Sequence, residues 1–462
     1  MTELLAARIA QQADRHPDAT AVVTAHERAN YAEFWTKVTR TAAGLSGMRR
    51  VAVLPTSDID SLIAVSAAMS AGVSVVLLHR HLLPRQLSRT LAVTRADAVV
   101  AVPRQHRRLR RLGYQGPIRT VGELETDVTA ATARAESELL VGITSGSTGE
   151  PKLFVRNQRS WAATLDRSDA TFDIGAGDRV STPGVLDHTH FLYGALHALT
   201  RGATVDLRAV GDALPDGTTH LYSVPAIAWD IVRSGIGPIS GVREVLSSAA
   251  RWPRPARAAL RQVLPNASLV HFYGASELSF VSFDRGLGAG DEDAAGELFD
   301  GVEVRIRDGF VVVRSDMLFD GYLTDAGLTG GPEDGWMSVG DRGLLDGNRL
   351  SLFGRGTDTL IRGGLNVELV AIEKALTAIP GITEAACLGL PDARMGEVPA
   401  AAVVMDRHAP DIDEIWRHLR ASLPSPSIPV LVLPVPALPR TARGKLDRQA
   451  LREVLTARRA AP

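Results

Sequence analysis

The sequence predicts an α/β protein with a large N-terminal domain of helix-flanked sheets, a β-rich subdomain and a small α+β C-terminal domain. Apolar runs at residues 51–54, 73–78 and 98–102 alternate with longer helical patterns, as expected of parallel strands flanked by helices. After about Leu298 the pattern changes to short alternating strands. With 462 residues and 45% hydrophobic content, the chain is long enough for about three lobes.

The N-terminal part of the chain contains one segment that resembles a membrane span. Residues 61–78 carry no charge, but their small side chains and Gly72 predict a packed helix through Met69 followed by a buried strand. We therefore expect no membrane span. The first 14 residues lack the basic and apolar regions of a secretory signal, and a cytoplasmic location is expected.

The segment from Thr144 to Lys152 has the composition of a phosphate-binding loop. Glycine permits the positive φ angles that turn backbone N–H groups towards an anion, while Ser and Thr add hydroxyl donors and lysine adds charge. The segment follows an apolar run, residues 139–143, that predicts a strand. Pro151 precedes the lysine and Leu153 follows it, so the usual ATPase loop ending in Gly-Lys-Ser/Thr is excluded. On composition alone, an ordinary glycine-rich turn remains an equal alternative.

The C-terminal third predicts a hairpin and then a separate domain. Strands at residues 302–306 and 310–313 flank Asp308-Gly309, a favourable hairpin turn. We place the β-rich subdomain at about residues 298–354, within an N-terminal domain of residues 1–354, and a C-terminal domain at residues 355–462. That last domain should contain a helix at residues 370–377 and a proline-punctuated stretch, residues 424–439, that cannot be a regular helix.

Bulk composition excludes several classes of protein. A formal net charge of −1 argues against a nucleic-acid binder, and the basic run at residues 104–111 is expected to be a solvated helix face. The single cysteine, Cys387, excludes an internal disulfide and should be a buried thiol. Only four of the 51 basic residues are lysines. Two of them, Lys152 and Lys445, lie in glycine-bearing loops, where a compact ammonium on a flexible stem could follow a phosphate or carboxylate.

Several motifs, in order along the chain, resemble those of the adenylate-forming superfamily of acyl- and aryl-CoA synthetases, nonribosomal adenylation domains and luciferases. The matching segments are residues 144–152, Tyr273-Gly-Ala-Ser-Glu277, Gly340-Asp341 after Trp336, Gly354-Arg355, Gly363-Gly364-Leu365-Asn366-Val367, and the loop at residues 439–448 around Lys445. They span most of the chain, and their combination is far more specific than any single segment.

The resemblance implies a role for each matching residue. Lys152 would steady the departing pyrophosphate, Glu277 would hold Mg²⁺ against the triphosphate, and Lys445 would bridge the reacting carboxylate and the ribose. Tyr273 would pack against adenine and Asp341 would accept the ribose hydroxyls. The other implied nucleotide-binding residues are Thr144, Ser145, Gly146, Ser147, Thr148, Gly149, Ala249, Gly274, Ser276 and Arg355. From the residues alone, Tyr273 could be core packing and Glu277 a surface charge.

The resemblance also places an acid-binding pocket beside these motifs. Its implied residues are His188, Thr189, His271, Phe272 and Ala275. His190 is expected to be a hydrogen-bonded core residue. The run at residues 152–156 resembles aryl-acid-activating members and favours an aromatic or medium-length acid. Asp187 could instead anchor a substrate amine, although its spacing is about two residues off the amino-acid-activating pattern.

The resemblance also implies that the C-terminal domain takes part in the transfer of the acyl group to a thiol. By resemblance, it rotates so that Gly363 and Gly364 allow a pantetheine arm to approach the backbone. The hinge position, usually Asp or Lys in the family, is Thr357 here. Val339 replaces the family's threonine before Gly-Asp and loses one hydrogen-bond donor.

The implied reaction joins a carboxylic acid to ATP, giving acyl-AMP and pyrophosphate, and then transfers the acyl group to the thiol of CoA. One alternative is a stand-alone adenylation enzyme that loads a carrier protein. Another is a non-catalytic nucleotide-binding protein on the same fold.

Overall fold

The computed structural model describes residues 3–128, 132–144, 152–249, 252, 254–285, 294–355, 359–439 and 446–460; at residues 254, 255, 353–355 and 460 it describes the backbone only. The chain divides into two compact units. The first comprises most of the chain up to Gly354, and the second is built mainly from Arg355 onward.

In the described residues, strands alternate with helices through the first half of the chain. In chain order the strands are β1 (Thr20–Val23), β2 (Arg28–Asn30), β3 (Arg50–Val53), β4 (Ser74–Leu77), β5 (Ala98–Val100), β6 (Ile118–Arg119), β7 (Glu138–Thr144), β8 (Lys152–Asn157), β9 (Arg179–Ser181), β10 (Thr204–Asp206), β11 (His220–Ser223), β12 (Glu244–Ser247), β13 (Ser268–Ala275), β14 (Ser279–Asp284), β15 (Ala294–Leu298), β16 (Glu303–Arg307), β17 (Phe310–Arg314), β18 (Gly321–Thr324), β19 (Gly327–Thr329), β20 (Asp341–Asp346), β21 (Arg349–Arg355), β22 (Thr359–Arg362), β23 (Leu365–Glu368), β24 (Ile382–Asp392), β25 (Gly396–Met405) and β26 (Leu431–Pro434).

The helices lie mostly in the crossover connections between parallel strands. They are α1 (Leu5–Arg15), α2 (Tyr31–Gly44), α3 (Ile59–Ala71), α4 (Pro84–Thr94), α5 (Pro103–Arg111), α6 (Val121–Leu124), α7 (Gln158–Thr171), α8 (Thr189–Thr200), α9 (Val210–Ala213), α10 (Pro225–Arg233), α11 (Arg254–Val263), α12 (Leu369–Thr377), α13 (Ile412–Ser422) and α14 (Arg448–Ala460).

Thirteen strands form the larger sheet of the first unit, in the order β16-β17-β20-β21-β15-β14-β13-β12-β11-β9-β10-β1-β2. Strands β10, β9, β11, β12 and β13 are parallel, with helices α8, α10 and α11 in the connections. The chain then reverses into the antiparallel β14. Because parallel strands end at the same edge of a sheet, the segments that follow these strands are brought together there.

Eight strands form the second sheet of this unit, in the order β19-β18-β8-β7-β4-β3-β5-β6. Strands β7, β4, β3, β5 and β6 are parallel, whereas β8 and β18 add to the sheet in antiparallel fashion beside β7. The uncharged segment predicted to pack inside the protein forms α3 and β4. Eleven of the thirteen residues of α3 are buried, and the one charged residue of the helix, Asp60, precedes the uncharged segment.

The second unit contains a five-stranded sheet in the order β23-β22-β25-β24, with β26 also paired to β25. Helices cover both faces of this sheet. Alternate side chains of β24 enter different cores. Cys387 packs with Ile372 and Ile415 of α12 and α13, whereas Leu388 packs with Leu451 of α14. The α+β character predicted for this region is confirmed.

Most element predictions are confirmed within two residues. The runs at 51–54, 73–78 and 98–102 correspond to β3, β4 and β5, and the helix at 370–377 corresponds to α12. The predicted hairpin is β16 and β17, and its loop residues Asp308 and Gly309 both have positive φ, as a tight two-residue hairpin loop requires. The basic run at 104–111 lies in α5, where Leu109 is the one buried residue, so its interpretation as a solvated face is also confirmed.

Two features of the C-terminal half were not predicted. The strands after β14 join both sheets of the first unit: β15, β16, β17, β20 and β21 extend the larger sheet, and β18 and β19 extend the smaller one. The stretch at 424–439 is not a regular helix, as predicted. It contains the strand β26, which the sequence analysis did not predict because of the prolines around it. Its register beside β25 runs from Leu431 to Pro434.

In the described part of the chain, each helix is too short or too polar to cross a membrane.

The Cys387 thiol should be inert in the folded protein. Its side chain is fully buried, and burial raises the pKa of the thiol well above its usual range, so little thiolate is present. We expect a chromogenic disulfide reagent to leave the native protein unlabelled and to label one thiol per chain in guanidinium chloride. Labelling of the native protein at the rate of a free thiol would contradict the packing described for β24.

Candidate active site

The turn between β13 and β14 is unusually tight. A Cβ atom at Gly274 would lie 2.1 Å from the carbonyl oxygen of Ser279, so only glycine fits there. Ser279 itself has a φ of 59°, and its hydroxyl lies 2.8 Å from the Thr164 hydroxyl of α7. The backbone of this turn is thus held between its own strands and a helix, and the predicted residues Ala275, Ser276 and Glu277 lie within it.

Glu277 is the acidic residue of the turn, and it is held at both its side chain and its backbone. Its Oε1 accepts a hydrogen bond from the Tyr322 hydroxyl at 2.8 Å, and its carbonyl accepts one from the Phe319 N–H at 3.0 Å. The residue is only 8% exposed, so the alternative of a surface charge is wrong. A buried carboxylate without a paired cation in the described structure is a suitable ligand for a hard metal ion.

Lys152 lies at the start of β8, directly opposite Thr144 at the end of β7. Its Nζ lies 5.2 Å from the centre of the Tyr322 ring, within the range of a cation–π contact. Strand pairing explains this contact, because Phe154 of β8 is the register partner of Tyr322 in β18. Tyr322 therefore contacts both of the charged groups that the sequence assigned to phosphate and metal binding.

Tyr273 and Asp341 form a hydrogen-bonded pair. The Tyr273 hydroxyl donates to Asp341 Oδ2 at 2.6 Å, and Asp341 is 8% exposed. Asp341 begins β20 directly after Gly340, whose φ is 81°. The sequence assigned both residues to the nucleoside, and the structure brings them together from different parts of the chain.

The segment before α8 lies at a topological switch point of the larger sheet. Strand β10, which follows β9 in the chain, lies on one side of β9 in the sheet, and β11 lies on the other side. The connections after β9 and β10 therefore run in opposite directions, and a crevice forms at the ends of these parallel strands. His188 caps α8, accepting a hydrogen bond from the His190 N–H, and Thr189 is the first residue of the helix. This is the location expected of a ligand pocket in an open α/β sheet.

The remaining predicted pocket residues do not all face this crevice. The Phe272 ring lies 5.6 Å from His190, beside α8. His271 precedes Phe272 in β13 and therefore points to the opposite face, where its ring lies 5.9 Å from Trp252. The structure thus brings His188, Thr189 and Phe272 to one side of the sheet and places His271 on the other.

His190 and His271 are uncharged at neutral pH. Burial lowers the pKa of His190 to about 3, with a further contribution from His188. Burial also lowers the pKa of His271 to about 4, helped by Arg257. His190 Nε2 lies 2.8 Å from the Ser223 carbonyl oxygen, which confirms the prediction of a hydrogen-bonded core residue.

Asp187, which directly precedes the predicted pocket residue His188, is paired with an arginine. Its Oδ1 accepts from Arg80 Nη1 at 2.9 Å and its Oδ2 from the Arg80 N–H at 2.8 Å. The carboxylate is fully buried, and both of its oxygens face the same residue. This arrangement does not favour the hypothesis that Asp187 anchors a substrate ammonium group.

In the second unit, Gly363 and Gly364 form the loop of the β22–β23 hairpin. Both have positive φ, 57° and 88°, which a two-residue loop of this kind requires. The Gly363 N–H donates to the Met395 carbonyl at 2.7 Å. Their glycine identity therefore has a structural reason in addition to any role in thiol binding.

Several predicted residues cannot be placed. Ser145, Gly146, Ser147, Thr148, Gly149, Thr357 and Lys445 lie outside the described residues, and Arg355 is described by its backbone only, at the end of β21. Ala249 follows β12 in a left-handed conformation with a φ of 71°, which is unusual for a residue other than glycine and suits a small side chain.

No group of three or more His, Cys, Asp or Glu side chains in the described structure could hold a metal ion. Mg²⁺ retains several waters and is commonly held by one or two carboxylates together with substrate phosphates. Glu277 supplies such a carboxylate.

Comparison with known families decides the class of protein. The AMP-binding enzyme family matches residues 9–323, and the AMP-binding enzyme C-terminal domain matches residues 371–445. The chain belongs to the AMP-binding enzyme family. The resemblance to adenylate-forming enzymes is thereby confirmed, as is the predicted fold.

Two relatives share 30% identity with this AMP-binding enzyme. One is an uncharacterized acyl-CoA ligase, YhfT of Bacillus subtilis, which matches over 478 residues and 96% of each chain. The other is a Rhodococcus jostii CoA ligase for a methyl-dioxo-octahydroindenyl propanoate, which matches over 354 residues, 71% of this chain and 67% of the relative. The prediction of an AMP-forming acid–thiol ligase of the acyl-CoA synthetase type is confirmed.

Solved structures of the family superpose over nearly the whole chain. The amide bond synthetase McbA of Marinactinospora thermotolerans matches with a TM-score of 0.86 and 25% identity, covering 98% of this chain and 99% of its own. A malonyl-CoA ligase matches with a TM-score of 0.79 and 28% identity, covering 92% of this chain and 97% of its own.

Sequence reasoning missed three side chains that contact the site of this AMP-binding enzyme. They are Tyr322, which contacts Glu277 and Lys152; Thr164, which contacts Ser279; and Arg80, which pairs with Asp187. Each reaches its partner through a contact between residues distant in sequence. Of the three, only Tyr322 lies in a stretch whose local sequence predicts an element, the short strand that begins at Gly321.

Acid should destabilise the enzyme through its buried histidines. An unfolded histidine binds a proton near pH 6.5, whereas folded His190 does so only near pH 3, so the unfolded state holds more protons between these values. Stability therefore falls as pH decreases from about 6.5 towards 3. His190→Gln removes this contribution, and we expect its melting temperature to fall less between pH 7 and pH 5 than that of the wild type.

The matched control is His418→Gln, at an exposed position of α13. Its melting temperature should fall with pH as the wild type's does. Equal acid sensitivity of His190→Gln and the wild type would contradict the burial of an uncharged His190.

Proposed function

We propose that this enzyme activates a carboxylic acid with ATP, giving an acyl-AMP and pyrophosphate, and then forms a thioester with CoA. The observation that carries the proposal is the arrangement around the β13–β14 turn. There Tyr322 contacts both Glu277 and Lys152, and Tyr273, four residues before Glu277, is bonded to Asp341. The Glu277 carboxylate, the Lys152 ammonium and the Asp341 carboxylate are thus available for the metal, the phosphates and the ribose of one nucleotide, respectively.

In the first half-reaction, a carboxylate oxygen of the acid forms a bond to the α-phosphorus while the bond from that phosphorus to the pyrophosphate oxygen breaks. Two anions approach each other in this step, so positioning and neutralisation of charge are the main needs. Lys152 would hold the departing pyrophosphate, and Lys445 would steady the incoming carboxylate. Thr144 and the loop residues after it would donate hydrogen bonds to the phosphates.

Glu277 would hold Mg²⁺, which when bound supplies positive charge beside the triphosphate. Tyr273 would pack against adenine, and its bond to Asp341 would keep that carboxylate pointed towards the ribose hydroxyls. Gly274 and Ala249 would let the nucleotide approach the backbone closely. Arg355 would contribute a cation near the ribose and phosphate.

In the second half-reaction, the thiol sulfur bonds to the acyl carbon, the carbon–oxygen bond to AMP breaks, and the thiol proton is released. We propose that residues 355–462 form the mobile domain that supplies Lys445 first and the Gly363–Gly364 loop second, with Thr357 at the hinge.

The acid is proposed to be aromatic or of medium length and to lack an ammonium group beside its carboxylate. Asp187, the carboxylate nearest the pocket segment, is buried and already paired with Arg80. The aromatic rings of Phe191 and Phe272 surround the neutral His190. These contacts favour an apolar acid, because no described charge in this cluster is left to neutralise a substrate amine.

The acceptor has a specific second candidate. McbA, which resembles this chain over nearly its whole length, is an amide bond synthetase, so an amine could replace the thiol in the second half-reaction. Loading of a carrier protein is a third possibility for the same acyl-AMP. CoA is favoured because the relative that matches 96% of this chain is an acyl-CoA ligase.

The test is a two-stage product assay. Aromatic, medium-chain and amino acids are first screened for acid-dependent exchange of labelled pyrophosphate into ATP; the active acids are then incubated with ATP and CoA, an amine or a carrier protein. We expect exchange with an acid lacking an amine and a mass corresponding to the acyl-CoA. Amide or acyl-carrier products without acyl-CoA would overturn the assigned acceptor, and absence of exchange with every acid would overturn the activity.

Lys445→Ala should separate the two half-reactions. It removes the cation assigned to the reacting carboxylate, so acyl-AMP formation should fall at least about a hundredfold. Thiolysis of supplied acyl-AMP should remain near the wild-type rate. Lys374→Ala, which replaces another lysine of the same unit in α12, is the control and should leave both rates unchanged. Equal loss of both half-reactions in Lys445→Ala would contradict the assignment.

A further inference from the structure

We propose that Tyr322 is a positioning residue for the adenylation site, whose hydroxyl orients the Glu277 carboxylate for Mg²⁺ and whose ring supports the Lys152 ammonium. The proposal rests on the proposed function, because it assigns Glu277 to the metal and Lys152 to pyrophosphate. It adds the side chain that links these two groups.

The hydroxyl contact fixes one oxygen of the carboxylate. Tyr322 Oη lies 2.8 Å from Glu277 Oε1, a normal length for a hydrogen bond to a carboxylate. The Tyr322 ring is itself held by an edge-to-face contact with Phe319, at 5.0 Å between ring centres, and the Phe319 N–H donates to the Glu277 carbonyl. The segment from Phe319 to Tyr322 thus donates hydrogen bonds to both the backbone and the carboxylate of Glu277.

The ring contact holds the second charged group. Lys152 Nζ lies 5.2 Å from the centre of the Tyr322 ring, and the lysine is exposed. Its flexible stem would otherwise sample many rotamers, so a fixed aromatic face beside it reduces the entropy lost when it binds an anion. The antiparallel pairing of Phe154 with Tyr322 keeps the two strands, and hence the two side chains, in register.

Orientation of the carboxylate matters because Mg²⁺ demands near-octahedral geometry and tolerates misplaced ligands poorly. Groups that hydrogen-bond a ligating carboxylate therefore affect metal affinity even though they do not touch the metal. Loss of the hydroxyl should allow the Glu277 side chain to rotate away from the direction in which the metal would bind.

The structure also separates this effect from simple loosening of the turn. Ser279, at the other end of the same turn, is held by the Thr164 hydroxyl at 2.8 Å, independently of Tyr322. Thr164→Val would therefore weaken the turn without changing the partner of the carboxylate. Tyr322→Phe would change the partner of the carboxylate and leave that turn contact in place.

The first experiment measures binding rather than turnover. The affinity for ATP is determined by calorimetry with Mg²⁺ and with a chelator, and the ratio gives the gain in affinity due to the metal. Tyr322→Phe should reduce this gain about tenfold relative to the wild type. Glu277→Gln should abolish most of it, and Thr164→Val, which keeps the bond between Tyr322 and Glu277, should reduce it less than Tyr322→Phe does.

Tyr114→Phe is the matched control for the chemical change. Its hydroxyl also donates a hydrogen bond, to the Pro117 carbonyl at 3.1 Å, in the loop between α5 and β6. This variant should behave as the wild type in every binding measurement. An unchanged or increased metal-dependent gain in Tyr322→Phe would overturn the role of the hydroxyl.

The second experiment tests the ring, with inorganic pyrophosphate as the probe and binding measured in the absence of acid. Tyr322→Phe keeps the aromatic face and should bind pyrophosphate as the wild type does when Mg²⁺ is absent. Tyr322→Leu removes it and should bind about two- to fivefold more weakly. Combining Tyr322→Leu with Lys152→Ala should give no further loss beyond Lys152→Ala alone. Equal pyrophosphate binding by Tyr322→Leu and Tyr322→Phe would overturn the role of the ring.

These outcomes are distinguishable from failure of the proposed function. If the wild type shows neither metal-dependent ATP binding nor acid-dependent pyrophosphate exchange, the function itself is wrong. If the wild type shows both and Tyr322→Phe matches Tyr114→Phe, the function stands and only the positioning role of Tyr322 is wrong.

Discussion

The arrangement of the candidate site depends on one reversal of the chain, where the parallel strand β13 ends and the antiparallel β14 begins. This turn is tight enough to exclude any side chain at Gly274 and places Ser279 in a left-handed conformation. Such a conformation persists only where surrounding contacts determine it. Here the contacts come from Thr164 on one side and from Phe319 and Tyr322 on the other.

The rest of the first unit can be understood as support for this turn. The parallel strands β9 to β13 of the larger sheet end at a common edge, which brings the segment between β9 and α8 to the same edge as the end of β13. The smaller sheet contributes β8 and β18, whose antiparallel pairing carries Lys152 and Tyr322. The late strands therefore do more than lengthen the sheets, since β18 and β20 deliver Tyr322 and Asp341 to partners that precede them in the chain.

Burial keeps His190, beside the proposed acid pocket, uncharged. The residue is enclosed by Phe191, Tyr222 and Phe272, and this burial lowers its pKa. The carboxylate of Asp187 is buried and paired with Arg80. An apolar acid would enter such a pocket at little electrostatic cost, whereas an ammonium group would lose its hydration without gaining a described partner.

Features carried by local sequence could be predicted, and those created by long-range pairing could not. The hairpin at Asp308 and the buried, uncharged segment at residues 61–78 each have a local cause, and the sequence identified them correctly. The opposite facing of His271 and Phe272 was readable in principle from the two-residue period of a strand, but both were assigned to one pocket through resemblance. Tyr322 depends on the register of β18 against β8, which the sequence does not specify.

In the proposed reaction, a carboxylate oxygen of the substrate attacks the α-phosphorus of ATP. An acid labelled with ¹⁸O in its carboxylate tests this step, because thiolysis of the acyl-AMP cleaves the bond between carbon and the bridging oxygen. We expect the AMP product to carry one ¹⁸O atom from the acid and pyrophosphate to carry none. Unlabelled AMP, or label in inorganic phosphate together with release of ADP, would contradict it.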